Sequence, residues 1–306
     1  MTSVPGARPA STRQLREQGY AYDELAALIR AGALSRVRRG AYAVSIPESP
    51  EDRHRQLIAA TLPQLAGDAC VSHQSAAVLH GLPTWSDQLG LVHVTRPRAN
   101  GGRRRTVTQV HPGPLAADDV VVLHGLAVTS LARTVADCSR TLSFSRAVAI
   151  GDAALRSGMR PEDLSAQLGR RPGRPGMPQS RRVAAFIDGR SESAGESLSR
   201  VLLRRQGLPT PQLQLVVLDR AHLEVARTDF GWEERRTLAE FDGRVKYGRL
   251  LRDGETAGDV IYREKVREDM LRDLGWEVVR WVWAELQDPA LIVGRLQRAF
   301  ARGTRR

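Results

Sequence analysis

Two carboxylates stand two residues apart in Glu240-Phe-Asp242, and Asp229 precedes Glu240 with ten residues between them. Side chains alternate across a strand, so Glu240 and Asp242 share one face while Phe241 points to the other. Ten residues allow a hairpin that brings Asp229, at the end of the preceding strand, to the same edge. Glu196, on a helix earlier in the chain, approaches that edge as well. Three or four oxygen-bearing side chains at one sheet edge suit Mg²⁺ or Mn²⁺. Such an ion activates water and stabilises charge on a phosphate in transfer.

The elements that must position these acids read from the same stretch. Ser193 to Gln206 has apolar residues on or near one face and predicts a helix. Strands are expected at Gln212 to Leu218, Leu223 to Phe230 and Arg236 to Asp242. A helix at Val260 to Leu274 is ended by Gly275, a strand follows at Trp276 to Val282, and a last helix runs from Pro289 to Ala301. Trp276, Trp281 and Trp283 read as core and edge packing. Arg263, Lys265 and Arg267 lie on the helix after the acids, with Glu264, Glu268 and Asp269 beside them. They are equally a solvated face or a backbone-phosphate contact.

Four motifs in this order, Ser193-Ala-Gly-Glu-Ser197, Thr228-Asp-Phe-Gly-Trp232, Glu240-Phe-Asp-Gly-Arg-Val-Lys-Tyr247 and Leu274-Gly-Trp-Glu-Val-Val-Arg-Trp281, resemble the PD-(D/E)xK nuclease superfamily. The nearest branch is the uncharacterised relatives of the very-short-patch mismatch-repair endonuclease. The resemblance spans about 110 residues and implies metal-binding roles for Glu196, Asp229 and Glu240. The chain departs from the pattern where the superfamily has lysine two residues after the second acid, because that slot is Asp242. Lys246 keeps the strand parity of Glu240 and Asp242 if the strand extends that far. It is one of two lysines among 46 basic residues. Three readings stay open: Lys246 as a displaced catalytic lysine, Asp242 as a further metal ligand, or a site without activity.

The front half is of another kind. Thr12 to Ala31 reads as two short helices, and Leu34-Ser-Arg-Val-Arg-Arg-Gly-Ala-Tyr-Ala-Val44 as a basic hairpin, together the plan of a winged helix-turn-helix. This segment resembles the N-terminal winged helix of the AbiEi family of abortive-infection antitoxins. So do Ser72-His-Gln-Ser-Ala-Ala-Val-Leu-His-Gly81, the strand Val92-His-Val-Thr95 and Val128-Thr-Ser-Leu-Ala-Arg-Thr-Val-Ala-Asp137. The resemblance implies promoter binding in a toxin–antitoxin operon, with Arg36, Arg38 and Arg39 near DNA. Arginine forks suit phosphate and read guanine. Six of the seven histidines fall between residues 54 and 124 without an HExxH or His/Cys spacing, so they are expected to be hydrogen-bonded structural residues. His73 and His80, seven apart, should share a helix face.

Composition bounds the rest. The net charge of +12 and pI near 10.8 point to a polyanionic partner, and the basic residues are spread along the chain rather than gathered in a tail. Two cysteines without a CxxC exclude a cysteine zinc finger and a disulfide framework. The absence of an apolar leader and of any long apolar run excludes membrane insertion and predicts a cytoplasmic protein.

The expected architecture is α+β and multidomain. Residues 1–10 are expected to be disordered, 11–45 to form the winged helix and 46–168 an α+β middle domain. The Gly/Pro-rich 169–178 stretch is the expected linker, and 179–306 a restriction-endonuclease-like α/β domain with a mixed sheet. The expected activity is Mg²⁺- or Mn²⁺-dependent hydrolysis of DNA. The alternatives are a non-catalytic regulator or antitoxin of a type IV toxin–antitoxin system, and a module that holds a cognate toxin.

Overall fold

The structure is a computed structural model and describes residues 9–44, 47–65, 67–97, 102–243 and 257–304. Lys246 and most of the first ten residues lie outside these. In chain order the elements are β1 (Ala10–Ser11), α1 (Thr12–Glu17), α2 (Tyr22–Arg30), β2 (Ser35–Arg38), β3 (Ala41–Ala43), α3 (Pro50–Thr61), β4 (Cys70–Val71), α4 (His73–Leu79), β5 (Val92–Arg96), β6 (Arg103–Arg104), β7 (Thr108–Pro112), β8 (Val120–Leu123), β9 (Leu126–Thr129) and α5 (Leu131–Thr141). They continue with α6 (Phe144–Arg156), α7 (Pro161–Gly169), α8 (Met177–Ala184), α9 (Ala194–Arg205), β10 (Gln212–Leu218), β11 (Glu224–Trp232), β12 (Thr237–Asp242), α10 (Ala257–Asp273), β13 (Glu277–Val282) and α11 (Pro289–Gly303). The architecture is α+β. Among the described residues no helix is long and apolar enough to cross a membrane.

The chain divides into two compact units. The first holds the residues up to Leu142 together with Met159–Ala184, and the second holds Ser143–Gly158 and everything from Ala185 onward. This division does not fall at the Gly/Pro-rich 169–178 segment, which belongs to the first unit. The reason is ionic. Arg171 donates to the Asp119 carboxylate and the Pro114 carbonyl (2.9 and 2.8 Å), and Arg174 donates to the Pro112 carbonyl (3.3 Å). Low apolar content makes the segment read as a linker, but its arginines hold it down.

In the first unit, α1 and α2 pack Leu15 and Leu25 against Leu34, beside a three-stranded antiparallel sheet ordered β1-β3-β2. Ser11 and Gln14 form a capping box at the start of α1. Ala10 opens β1, so the expected disorder does not reach it. A second sheet of six strands runs β6-β7-β5-β4-β9-β8, with β5 parallel to β7 and β4 parallel to β9. Its Val71, Val92, Val94 and Val128 are wholly buried with Ile58 of α3. Helix α7 is absent from the sequence reading, although Pro161 in its first turn followed by Glu162 and Asp163 is a local start signal.

The second unit is built on a four-stranded sheet ordered β10-β11-β12-β13. The pairs β10/β11 and β11/β12 are antiparallel and β12/β13 is parallel, with α10 as the crossover. Two cores sandwich the sheet. Phe230, Phe241, Trp281, Leu296 and Phe300 fill one, on the side of α9 and α11; Leu238, Leu271 and Trp276 fill the other, on the side of α10. Trp281 stacks on Phe230 with ring centres 5.5 Å apart, whereas Trp283 is 40 % exposed and meets Phe241 edge-on. The buried Asp152 carboxylate on α6 accepts from Arg200 of α9 (2.8 Å) and from the Asp188 amide (2.7 Å), which ties α6 into this unit.

Candidate active site

Strand β12 places Glu240 and Asp242 on the α10 face. Leu238 marks that face, and Ala239 and Phe241 are buried in the opposite core. The alternation expected from the sequence holds over these residues.

Asp229 lies inside β11 rather than at its end, because the strand continues to Trp232. It stands where the β11/β12 ladder stops. Pairing covers Phe230 to Trp232, and beyond it the Asp229 carboxylate accepts from the Phe241 amide (2.8 Å) in place of a backbone carbonyl. Asp229 is thus held at the level of Glu240.

Glu196 sits in the first turn of α9, where Ser193 caps the Glu196 amide (3.2 Å). The Glu196 carboxylate is buried. One oxygen accepts from the Glu192 amide (2.7 Å) and from the side-chain amide of Gln214 (3.1 Å). Gln214 escaped the sequence reading. Its φ of +53° interrupts β10, sending Leu213 into one core and Leu215 into the other, and it falls opposite Asp229 in the register. A non-glycine residue in this left-handed region is strained, and such strain gathers at functional sites. The sequence carries no sign of it, because Leu213-Gln-Leu215 is the alternation of an ordinary strand.

Gly195 permits the approach of α9 to β12. A Cβ there would lie 1.9 Å from the buried Phe241 ring. Gly195→Ala is therefore expected to cost about 1–3 kcal/mol of overpacking, read as a lower urea midpoint at unchanged slope.

The surroundings of Glu240 are cationic. One oxygen accepts from Arg267 of α10 (2.7 Å) and the other from Arg280 of β13 (2.9 Å), its partner in the parallel ladder. Arg267 and Arg280 also bond Glu264, and Arg280 bonds Glu268, so three acids share two guanidinia. Burial works against the charge of Arg267, but its bonds to Glu264 and Glu240 outweigh this and raise its pKa well above the usual value. Burial likewise opposes the Glu264 charge, and Arg267 with Arg280 overcomes it and lowers that pKa. Arg267 therefore faces the acids, not a solvated helix face.

No three of Glu196, Asp229, Glu240 and Asp242 bring one oxygen each within 4.8 Å of one another. Among the described residues the group that does so is His73, His93 and His111. Glu196 is bonded to Gln214, which falls opposite Asp229 in the ladder, and Asp229 is bonded to the amide of Phe241, the residue after Glu240. Lys246 is outside the described residues.

Of the three arginines expected at DNA, Arg36 and Arg39 are exposed. Arg38 turns inward, and its guanidinium donates to the Ala60 carbonyl at the end of α3 (3.0 and 2.6 Å). It fills a helix-end acceptor instead of reaching outward.

The histidines divide. His54 Nδ1–H donates to the Leu89 carbonyl (2.8 Å) and its Nε2 pairs with Ser75 (2.8 Å), while His80 donates to the Thr129 carbonyl (2.7 Å). These are hydrogen-bonded structural residues, as expected. His73 instead joins His93 and His111, so His73 and His80 serve different neighbours from opposite ends of α4.

No protein-family model matches the chain. Two Mycobacterium tuberculosis proteins described as uncharacterized, MT2308 and Rv2248, are each 30% identical to it over 278 residues, 90% of this chain and 95% of theirs. The chain belongs to the family of these mycobacterial proteins. Among solved structures, the RV2827C protein from Mycobacterium tuberculosis aligns over 70% of this chain and 85% of its own, at a TM-score of 0.38 and 15% identity.

Proposed function

We propose that this chain is a DNA-binding protein whose second unit is a PD-(D/E)xK-type nuclease domain that hydrolyses phosphodiester bonds. The observation that carries this reading is the break in the β11/β12 ladder, where Asp229 takes over the Phe241 amide beside Glu240 and Asp242. The order of helix, three strands, crossover helix and parallel strand supports it. The net charge of +12 supports a polyanionic substrate, with a winged helix of residues 11–45 presenting Arg36 and Arg39 to it.

The donor set consists of hard carboxylate oxygens, the ligand type Mg²⁺ or Mn²⁺ takes, and the acids would have to close on the ion from their present spacing. Such an ion supplies Lewis acidity and a nucleophilic water. Asp229 and Glu240 would hold it, Glu196 and Asp242 would complete the oxygen set, and Lys246 would neutralise charge on the phosphate. Glu240 must exchange Arg267 and Arg280 for the cation. The two guanidinia would keep their bonds to Glu264 and Glu268 and would turn the donors given up by Glu240 toward phosphate oxygens.

The test is cleavage of plasmid and linear DNA with Mg²⁺, Mn²⁺ or EDTA, beside Asp229→Ala and Glu240→Ala. Metal-dependent cutting is expected, and loss of several kcal/mol of charge stabilisation should slow both variants by on the order of 10³-fold at about 1.4 kcal/mol per tenfold. Cutting that survives in Asp229→Ala would sink the site assignment.

A second reading, a non-catalytic regulator or antitoxin, is favoured by one observation: both oxygens of Glu240 are already held by arginine. Folded protein that shifts DNA without cutting it supports that reading. Failure to bind DNA ends both.

A further inference from the structure

His73, His93 and His111 come from three elements of the first unit. His73 opens α4, His93 lies on β5 and His111 on β7. In the parallel β5/β7 ladder His93 pairs with Gln109 and Thr95 with His111, so both histidines and Thr95 share one face. Each of the three imidazoles offers a ring nitrogen within 4.8 Å of the others. His93 Nδ1 and His111 Nε2 are 2.9 Å apart, and the His73 ring stacks on His111 with centres at 3.6 Å.

Three further observations set this cluster apart from hydrogen-bonded core histidines. His73 is 1% exposed; its Nδ1 pairs with the Ser72 hydroxyl (2.9 Å), and its Nε2 has no hydrogen-bond partner. A buried imidazole nitrogen without a partner is costly. The Thr95 hydroxyl, buried beside His111, is also without a partner. Finally, His73 has φ +53°, a strained conformation at the first residue of its helix.

We propose that His73 Nε2, His93 Nδ1 and His111 Nε2 form a binding site for a Zn²⁺-type divalent transition-metal ion. Three neutral imidazoles suit a borderline-soft ion and leave a fourth position for a small ligand. No carboxylate belongs to the set, which disfavours Mg²⁺ and Ca²⁺. The Ser72 hydroxyl on His73 Nδ1 supplies the outer hydrogen bond that fixes a ligand ring, and Thr95 is placed to bond the fourth ligand. His93 and His111 are half-buried and give access, while His73 is the floor. Burial pushes the pKa of all three down, the neighbouring histidines and Arg104, Arg133, Arg140 and Arg174 push the same way, and Asp137 works against this at His111. Of these arginines, Arg133 and Arg140 are each bonded to Asp137, which offsets their charge on an arriving ion. The site lies in the first unit and does not depend on the nuclease reading.

The experiment is to strip the full-length chain with a chelator and titrate it with Zn²⁺ and with Co²⁺. Metal content, the visible ligand-field absorption of four-coordinate Co²⁺ and the melting temperature are the readouts. One equivalent per chain is expected, with a Tm rise of about 5–10 °C at a hundredfold excess over Kd. His93→Asn and His111→Gln should each lose the equivalent and the Tm rise, while the exposed His124→Ala retains both. A folded wild-type chain that takes up no Zn²⁺ and shows no Co²⁺ band overturns the proposal, even if the variants do not fold. So does a full equivalent retained by both variants.

Discussion

Arg133→Met lowers the unfolding free energy of the first unit by about 3 kcal/mol, the lower end of the usual cost of removing one partner of a buried ion pair. Arg133 is 1% exposed and lies between two acids that are also buried. Its Nη1 donates to Asp119 (2.9 Å) and its Nε to Asp137 (2.7 Å), four residues on along α5. Asp119 also accepts from Gln167 (2.7 Å) and Arg171 (2.9 Å), and Asp137 from Arg140 (3.1 Å). Removing Arg133 strips the one cation common to both carboxylates. Methionine keeps the stem volume, so lost packing contributes little. Urea titration reads the change as a shift of midpoint at constant slope. The exposed Arg13→Ala is the control, with a change within about 0.5 kcal/mol.

The second large effect is acid lability of the first unit between pH 6.5 and 4. Burial, then His111, His54 and Arg104, depress the His93 pKa to about 3. Burial, opposed by Asp137 and aided by Arg140 and Arg174, depresses the His111 pKa to about 4. In the unfolded chain both titrate near their ordinary value of about 6.5. Within this window the unfolded state binds protons that the folded state refuses, so stability falls as pH falls. The contribution is full above about 6.5 and lost as pH drops through the folded values. Each histidine contributes a slope of about 1.4 kcal/mol per pH unit. The pKa values of Asp52 and Asp118 are lowered from their usual acidic value, so they act below this window. Urea midpoints of metal-free protein at pH 7.5 and 5.5 measure the slope. A slope unchanged in the His93→Asn, His111→Gln double variant would assign the lability elsewhere.

What was legible in the sequence was local. The shared face of Glu240 and Asp242 follows from strand alternation, and the capping of α9 by Ser193 from one residue type at one offset. What was not legible depends on distant partners. Arg280 and Arg267 reach Glu240 across 40 and 27 residues, and no spacing in the chain announces either bond. Arg38 looked free in a basic hairpin, and only the arrival of the end of α3 gives it an acceptor. The trio of His73, His93 and His111 is assembled by the parallel pairing of β5 with β7, which periodicity does not disclose. Within Val128 to Asp137 the Arg133–Asp137 pair has the i,i+4 spacing of a helix, whereas the bond of Arg133 to Asp119 depends on a distant element.

The membership of α6 in the second unit bears on how the chain is made. As the polypeptide emerges from the ribosome, α6 appears about fifty residues before the helix whose Arg200 neutralises Asp152. Its Gly151 is fitted to Ile187, which is also still to be synthesised. Until then α6 is an apolar helix with a lone acid and no core to join, while the first unit must close around the gap using Met159–Ala184. Each unit is thus interrupted by a piece of the other, and no single cut in the chain separates the two. A fragment begun after the Gly/Pro-rich segment would carry every acid of the proposed nuclease site and still lack the helix that Arg200 and Ile187 were built to meet.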